Sequence, residues 1–152
     1  MKVGDTAPNF ILKDEKENEF ELYKNLDKNV LLVFYPKDDT PVCSSQLTEY
    51  NNNLDKFSKH GIKVIGINSD SIDSHSEFCT KLKIEIPLLA DENKEVSDQY
   101  GALNLFRMNK RILILVGTNK KILWTASTLP VKFIKTSEIL GRITSINSEE
   151  MT

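Results

Sequence analysis

The stretch Val30-Leu31-Leu32-Val33-Phe34-Tyr35-Pro36-Lys37-Asp38-Asp39-Thr40-Pro41-Val42-Cys43 decides the fold class. Its first six residues are the longest apolar run of the chain and carry no polar alternation, which predicts a central strand buried on both faces. Pro36 ends the strand, and the charged loop Lys37-Asp38-Asp39 follows. Thr40 suits an N-cap and Pro41 suits a first helical position. From there Leu47, Tyr50, Leu54 and Phe57 keep a helical apolar spacing that predicts one helix up to His60-Gly61. A buried strand that runs through a loop into a helix N-terminus is where α/β folds tend to place chemistry.

Working outward, Ala7–Leu12 and Glu19–Leu22 read as a hairpin, and Ile62–Asn68 as a second strand. Ser74-His75-Ser76-Glu77 is a capping-box pattern that predicts a helix through Phe78, Cys79 and Leu82. A short helix is expected around Lys94–Tyr100. Arg111–Val116 and Lys121–Trp124 flank the turn Gly117-Thr118-Asn119-Lys120, and Ser137–Ile146 reads as a final helix. This order predicts the α/β class, a mixed central sheet covered by helices on both faces with an N-terminal β-hairpin extension. No repeat or linker divides the 152 residues, so residues 1–147 read as one domain and 148–152 as a short polar tail.

Composition narrows the function classes. Apolar residues make up 39% and charged residues 28%, a globular balance, and the formal charge is −2. That charge argues against a general electrostatic grip on nucleic acid or anionic membrane. A six-residue apolar run is far short of the roughly 20 residues needed to cross a bilayer. The first residues show no apolar stretch of secretory type, so the expected location is the cytoplasm. Two cysteines do not make a disulfide scaffold, and their separation of 36 positions excludes an adjacent Cys-x-x-Cys dithiol.

If Thr40 caps the helix, Cys43 is its third residue, where unpaired amides and the helix dipole favour negative charge. A free thiol is only slightly ionised at neutral pH, and such a position, with a nearby cation, favours the nucleophilic thiolate. Thr40 is expected to bond the amide of residue 43 while its hydroxyl lies near the sulfur, and Pro36 to shield that sulfur from water. Taken alone, Cys43 also fits a small buried hydrophobe.

The longer string resembles the active-site segment of the peroxiredoxins, Pro-x-x-x-Thr/Ser-x-x-Cys, here Pro36, Thr40 and Cys43. Its Phe-Tyr-Pro opening and Thr-Pro pair resemble the peroxiredoxin Q (bacterioferritin comigratory protein) branch. Val3–Phe10, Val64–Ser71 with Ser74–Phe78, and Ile86–Asp91 are similar to further family segments, so the likeness spans most of residues 3–125. It implies a thioredoxin-like fold, no cofactor and no metal, and thiol-dependent reduction of hydrogen peroxide or organic hydroperoxides through a Cys43 sulfenic acid. It also implies that Thr40, amides near Cys43 and an arginine supply donors to the reacting oxygens. By alignment the arginine is Arg111, with Arg107 as rival. Leu113 and Gly117 depart from the family strand, where a hydroxyl residue and Asp are frequent. Gln46, one helical turn from Cys43, either orients Arg111 or is an exposed helix residue.

The common second cysteine of the branch, five residues after the first, is replaced by Thr48. The resemblance leaves Cys79 as resolving thiol, forming an intramolecular disulfide that a thioredoxin-like donor reduces. Joining two helix starts requires unwinding of the first turn after Thr40 and of the helix around Cys79. The alternatives are a one-Cys peroxidase resolved by an external thiol such as glutathione, and a non-enzymatic redox-sensing or holdase protein. A monomer is expected from the branch. Zinc bound by Cys43, His60, His75 and Cys79 is disfavoured, because only His75 and Cys79 have ligand-like spacing and no Cys-x-x-Cys pair exists. His75 reads as a polar residue at a helix start, Trp124 as core.

Overall fold

A computed structural model describes the backbone of residues 1–150 and the side chains through Ile146. The apolar run forms β3 (Asn29–Phe34), the centre of a seven-stranded sheet ordered β2-β1-β5-β4-β3-β6-β7. Strands β3, β4 (Ile62–Asn68) and β5 (Leu88–Ala90) are parallel. The antiparallel strands β6 (Arg111–Val116) and β7 (Ile122–Thr128) extend one side. The hairpin β1 (Ile11–Lys13) and β2 (Glu19–Glu21) extends the other, joined through Lys13 opposite Ala90.

Period-two alternation along β3 sorts its side chains between two apolar layers. Leu31, Val33 and Tyr35 face α1 (Pro41–Asn51), α2 (Leu54–Lys59), α3 (Ile72–Leu82) and α5 (Thr136–Glu150). Val30, Leu32 and Phe34 face the N-terminal lead-in, the 3-10 turn Leu22–Asn25 and α4 (Glu95–Gln99). Residues 30–35 are fully buried, each contributing about 1.5–3 kcal/mol by the usual transfer scale. The mixed sheet covered on both faces is thus present.

Helix boundaries differ from expectation in three places. The helix expected to run from Pro41 up to His60-Gly61 is broken at Asn52-Asn53, because the Asn53 side-chain amide donates to the Glu49 carbonyl at 2.7 Å. A polar side chain thereby occupies an acceptor that a continuing helix would use. Helix α3 starts three residues earlier than the capping box suggests: Ser71 is the N-cap, its hydroxyl accepting from the Ser74 amide at 3.1 Å. Cys79 is therefore in the last turn of α3 rather than near its start. Helix α5 runs on to Glu150, so the first residues of the expected tail are helical, while residues 151–152 lie outside the described residues. No helix among the described residues is long and apolar enough to cross a membrane.

Tertiary bonds fix α5 against α1. The Glu49 carboxylate accepts from the Thr136 hydroxyl at 2.6 Å and from its amide, and the Tyr50 hydroxyl donates to the Ile134 carbonyl at 2.6 Å. A side chain of one helix thus satisfies the open N-terminus of another.

Candidate active site

Helix α1 begins directly after the loop that leaves β3, and Cys43 is its third residue. The first helical bond runs from the Ser44 amide to the Thr40 carbonyl at 2.8 Å, so the amides before it have no acceptor within the helix. The Thr40 side chain does not cap them. Its hydroxyl donates to the Lys37 carbonyl at 3.1 Å, correcting the expected bond to residue 43. The turn over Lys37–Thr40, with Asp39 in the left-handed region at φ 56°, brings the Lys37 carbonyl within reach of the hydroxyl as an acceptor, and the hydroxyl donates there instead of accepting from the helix amides.

Sheet register explains how an arginine reaches this helix. Phe34 pairs with Ile112, which puts Arg111 one step beyond the strand's end, beside Tyr35. Leu113 and Leu115 face the α1 layer, and alternation points Arg111 the same way. Its guanidinium is almost wholly buried, and Nη2 lies 3.4 Å from Cys43 Sγ while donating to the Pro130 carbonyl at 2.8 Å. Nη1 donates to Gln46 Oε1 at 2.5 Å. Gln46 Nε2 then donates to the Tyr50 hydroxyl at 3.2 Å, and that hydroxyl donates to Ile134. Donors and acceptors agree along the whole chain, which fixes the orientation of the amide. Burial holds the Tyr50 hydroxyl well above its ordinary pKa, so it stays a donor. Arg111 Nε is the one buried side-chain nitrogen or oxygen among the described residues without a partner.

The sulfur of Cys43 is enclosed, with Cys43 only 1% exposed, yet it is not in purely apolar packing: a guanidinium and a helix start face it. Pro36 is half-buried at the head of the loop. Gln46 is buried rather than exposed. Arg107, the rival arginine, is exposed in a loop at φ 58°, its carbonyl accepting from Lys94 Nζ at 2.6 Å.

Cys79 shares the apolar layer of Cys43, and both thiols are free. It borders a cavity of about 520 Å³ whose lining includes Glu15, Lys16, Ser76 and Glu85. Burial, reinforced by the charges of Glu15, Asp38 and Asp14 and opposed by Lys16, pushes the Cys79 thiol up to about 12. Its carbonyl accepts from the Ile84 amide at 3.0 Å across the left-handed Lys83 that ends the helix.

One buried cluster escapes a reading of the sequence. His75 is fully buried, not a polar residue at a helix surface, and its Nδ1 lies 2.5 Å from Asp38 Oδ2. Asp38 sits within a run of charged residues that reads as a solvated loop. The hint lies only in spacing, since His75 stands one helical turn before Cys79. Trp124 is buried in the core as expected, and no group of three metal-ligating side chains occurs among the described residues.

A sequence model of the AhpC/TSA family matches residues 3–125. Peroxiredoxin Q from the chloroplast of Sedum lineare is 40% identical over 98 residues, 64% of this chain and 53% of that protein. The chain thus matches about half the length of that relative. Among solved structures, peroxidoxin BcpB from Mycobacterium tuberculosis superposes with a TM-score of 0.84 at 25% identity, covering 97% of both chains. The reduced 2-Cys peroxiredoxin of Plasmodium vivax gives 0.90 at 27% identity over 100% of both.

Proposed function

We propose that this chain, which belongs to the AhpC/TSA family, is a thiol-dependent peroxidase whose nucleophile is Cys43. The observation that carries this reading is the contact of Arg111 Nη2 with Cys43 Sγ beside an Nε–H that has no partner. The guanidinium and the helix amides stabilise the thiolate, and Nε–H is free to donate to an incoming peroxide oxygen.

The chemistry then balances as follows. The Cys43 thiolate attacks one peroxide oxygen and forms an S–O bond while the O–O bond breaks. The departing oxygen takes a proton and leaves as water or an alcohol, and the sulfur is oxidised to sulfenic acid. Arg111 and the amides at the start of α1 receive the charge that develops on the oxygens. Gln46 holds Arg111 in place without adding charge. Thr40, whose hydroxyl bonds to Lys37, shapes the loop, and Pro36 covers the pocket.

In the second half of the cycle the Cys79 sulfur attacks the sulfenic sulfur, forming a disulfide and releasing water. A dithiol donor of thioredoxin type supplies the two electrons that restore both thiols. The first turn of α1 and the last turn of α3 unwind to let the sulfurs meet, because helix ends open at low free energy. Residues 1–147 work as one domain and as a monomer in a reducing compartment, the cytoplasm.

Mass spectrometry after one equivalent of hydrogen peroxide tests the cycle. Loss of two hydrogens with a peptide linking residues 43 and 79 supports it. A stable single-oxygen adduct on Cys43 replaces it with a one-Cys peroxidase that needs an external thiol. No reaction at Cys43 overturns the peroxidase reading altogether.

A further inference from the structure

The most heavily bonded buried group outside the Cys43–Arg111 network is the carboxylate of Asp38, five residues before Cys43. Its Oδ1 accepts from the Tyr35 hydroxyl at 2.6 Å and from Asn68 Nδ2 at 3.2 Å. Its Oδ2 accepts from the Ser74 hydroxyl at 2.8 Å and faces His75 Nδ1. The Asp38 amide donates to Asp70 Oδ2 at 2.7 Å. One side chain of the loop before α1 is thereby tied to the ends of β3 and β4 and to the first turns of α3.

The proton count on His75 follows from its neighbours. Nδ1 faces a carboxylate, and Nε2 lies 3.1 Å from the Leu89 carbonyl, which can only accept. With Asp38 as the carboxylate, both ring nitrogens are satisfied together only when each carries a proton, which makes the pair a buried imidazolium and carboxylate. Burial alone would raise the Asp38 pKa, but the hydrogen bonds and charge of His75, with those of Tyr35 and Ser74, hold it below its ordinary value. Asp70 is the other acidic group beside the pair, and no Lys or Arg is bonded to it among the described residues.

Location gives the pair a consequence for the reaction. It joins the loop leading to Cys43 with the helix that carries Cys79 one turn after His75. Breaking a buried ion pair by removing one partner leaves an uncompensated charge, so the joint resists loosening. We propose that Asp38 and His75 are positioning residues forming a charged clamp that holds the start of α1 in the peroxide-reactive arrangement and opposes the unwinding that brings Cys43 to Cys79. The clamp rests on the two-cysteine cycle proposed above. It makes the two halves of that cycle pull against each other: what secures Cys43 beside Arg111 for attack also delays closure of the disulfide.

Two measurements test it. Nitrogen NMR on the histidine-labelled wild-type chain at neutral pH is expected to show protons on both ring nitrogens of His75, with exposed His60 as the other resonance. A bare ring nitrogen on His75 overturns the assignment. Stopped-flow mixing of His75→Asn with hydrogen peroxide is expected to show attack on Cys43 slowed about tenfold and disulfide closure accelerated several-fold. Ser74→Ala, which removes one donor and leaves the pair, is expected to move both rates in the same directions by less, and it serves if His75→Asn fails to fold. A merely structural histidine leaves both rates of the folded protein alone or slows both, and any result other than opposite movement overturns the clamp. The wild-type control separates the two proposals: if wild-type Cys43 does not react with peroxide, the peroxidase reading itself falls.

Discussion

Two cysteines lie in one apolar layer of this protein, and their surroundings carry opposite charge. Cys43 stands at the open amide end of α1, 3.4 Å from a guanidinium nitrogen. Cys79 stands in the closing turn of α3, beside a cavity where Glu15 and Glu85 outnumber Lys16. The fold's two helix ends thus treat the same functional group differently. At one, a guanidinium and unpaired helix amides face the sulfur; at the other, burial and acidic neighbours keep the sulfur protonated. The lesson is that two buried thiols of one layer differ in what is enclosed with them: a guanidinium at Cys43, and at Cys79 mostly carboxylates, which add to an already larger effect of burial.

Removing one member of the pair has the largest expected effect. Cys79→Ser should leave the rate of peroxide attack on Cys43 unchanged in single-turnover stopped-flow, yet abolish the intramolecular disulfide and turnover with a thioredoxin-type donor. Retained steady-state turnover would break the assignment of separate roles to the two sulfurs. Next comes the positive side of the contrast. Arg111→Lys keeps a charge but loses the fork that meets Sγ, Gln46 and Pro130 together, and should lower the second-order rate with peroxide about 100- to 1,000-fold. A drop of twofold or less would mean that the helix start alone activates Cys43.

A third prediction concerns Cys79 itself. Its thiol is raised in the folded state from 9.0 to about 12, so its contribution to stability is complete below pH 9 and is lost as pH climbs towards 12. Buried Tyr35, Tyr50 and Tyr100 are shifted the same way, so the test compares wild type with Cys79→Ser in urea unfolding. The advantage of the wild type should shrink between pH 8 and pH 10.5. A constant difference would place Cys79 in less hostile surroundings. The smallest effect is expected for Gln46→Ala, which removes one bond to Arg111 but no charge. Peroxide attack should slow by about tenfold or less, with the pH profile unshifted.

Much of this arrangement was legible before any coordinates. The apolar run ending at Tyr35 announced a central strand, and Thr40-Pro41 announced the helix start at the residue where it occurs. Those signals are local: periodicity and the steric needs of proline act within a few residues. The break at Asn52-Asn53 was not legible, because the apolar spacing continues through it while a single side-chain amide diverts the Glu49 carbonyl. Nor was the bond of Thr40, since its hydroxyl can accept from a helix amide or donate to a turn carbonyl, and the turn geometry selects the second.

By itself the sequence determined the α/β class, the placement of Cys43 on the first turn of α1, and a family motif around it, all from short-range pattern. The family likeness pointed to Arg111 with Arg107 as rival, and the tertiary structure decided between them by setting the Arg111 guanidinium against the sulfur. Sheet register and alternation turn Arg111 inward and leave Arg107 in solvent, and neither is encoded near either residue. It also decided that Asp38 and His75, 37 positions apart, meet in the interior. A charge reads as solvated until a partner from another segment compensates its burial, and such partners are found only when the chain has folded.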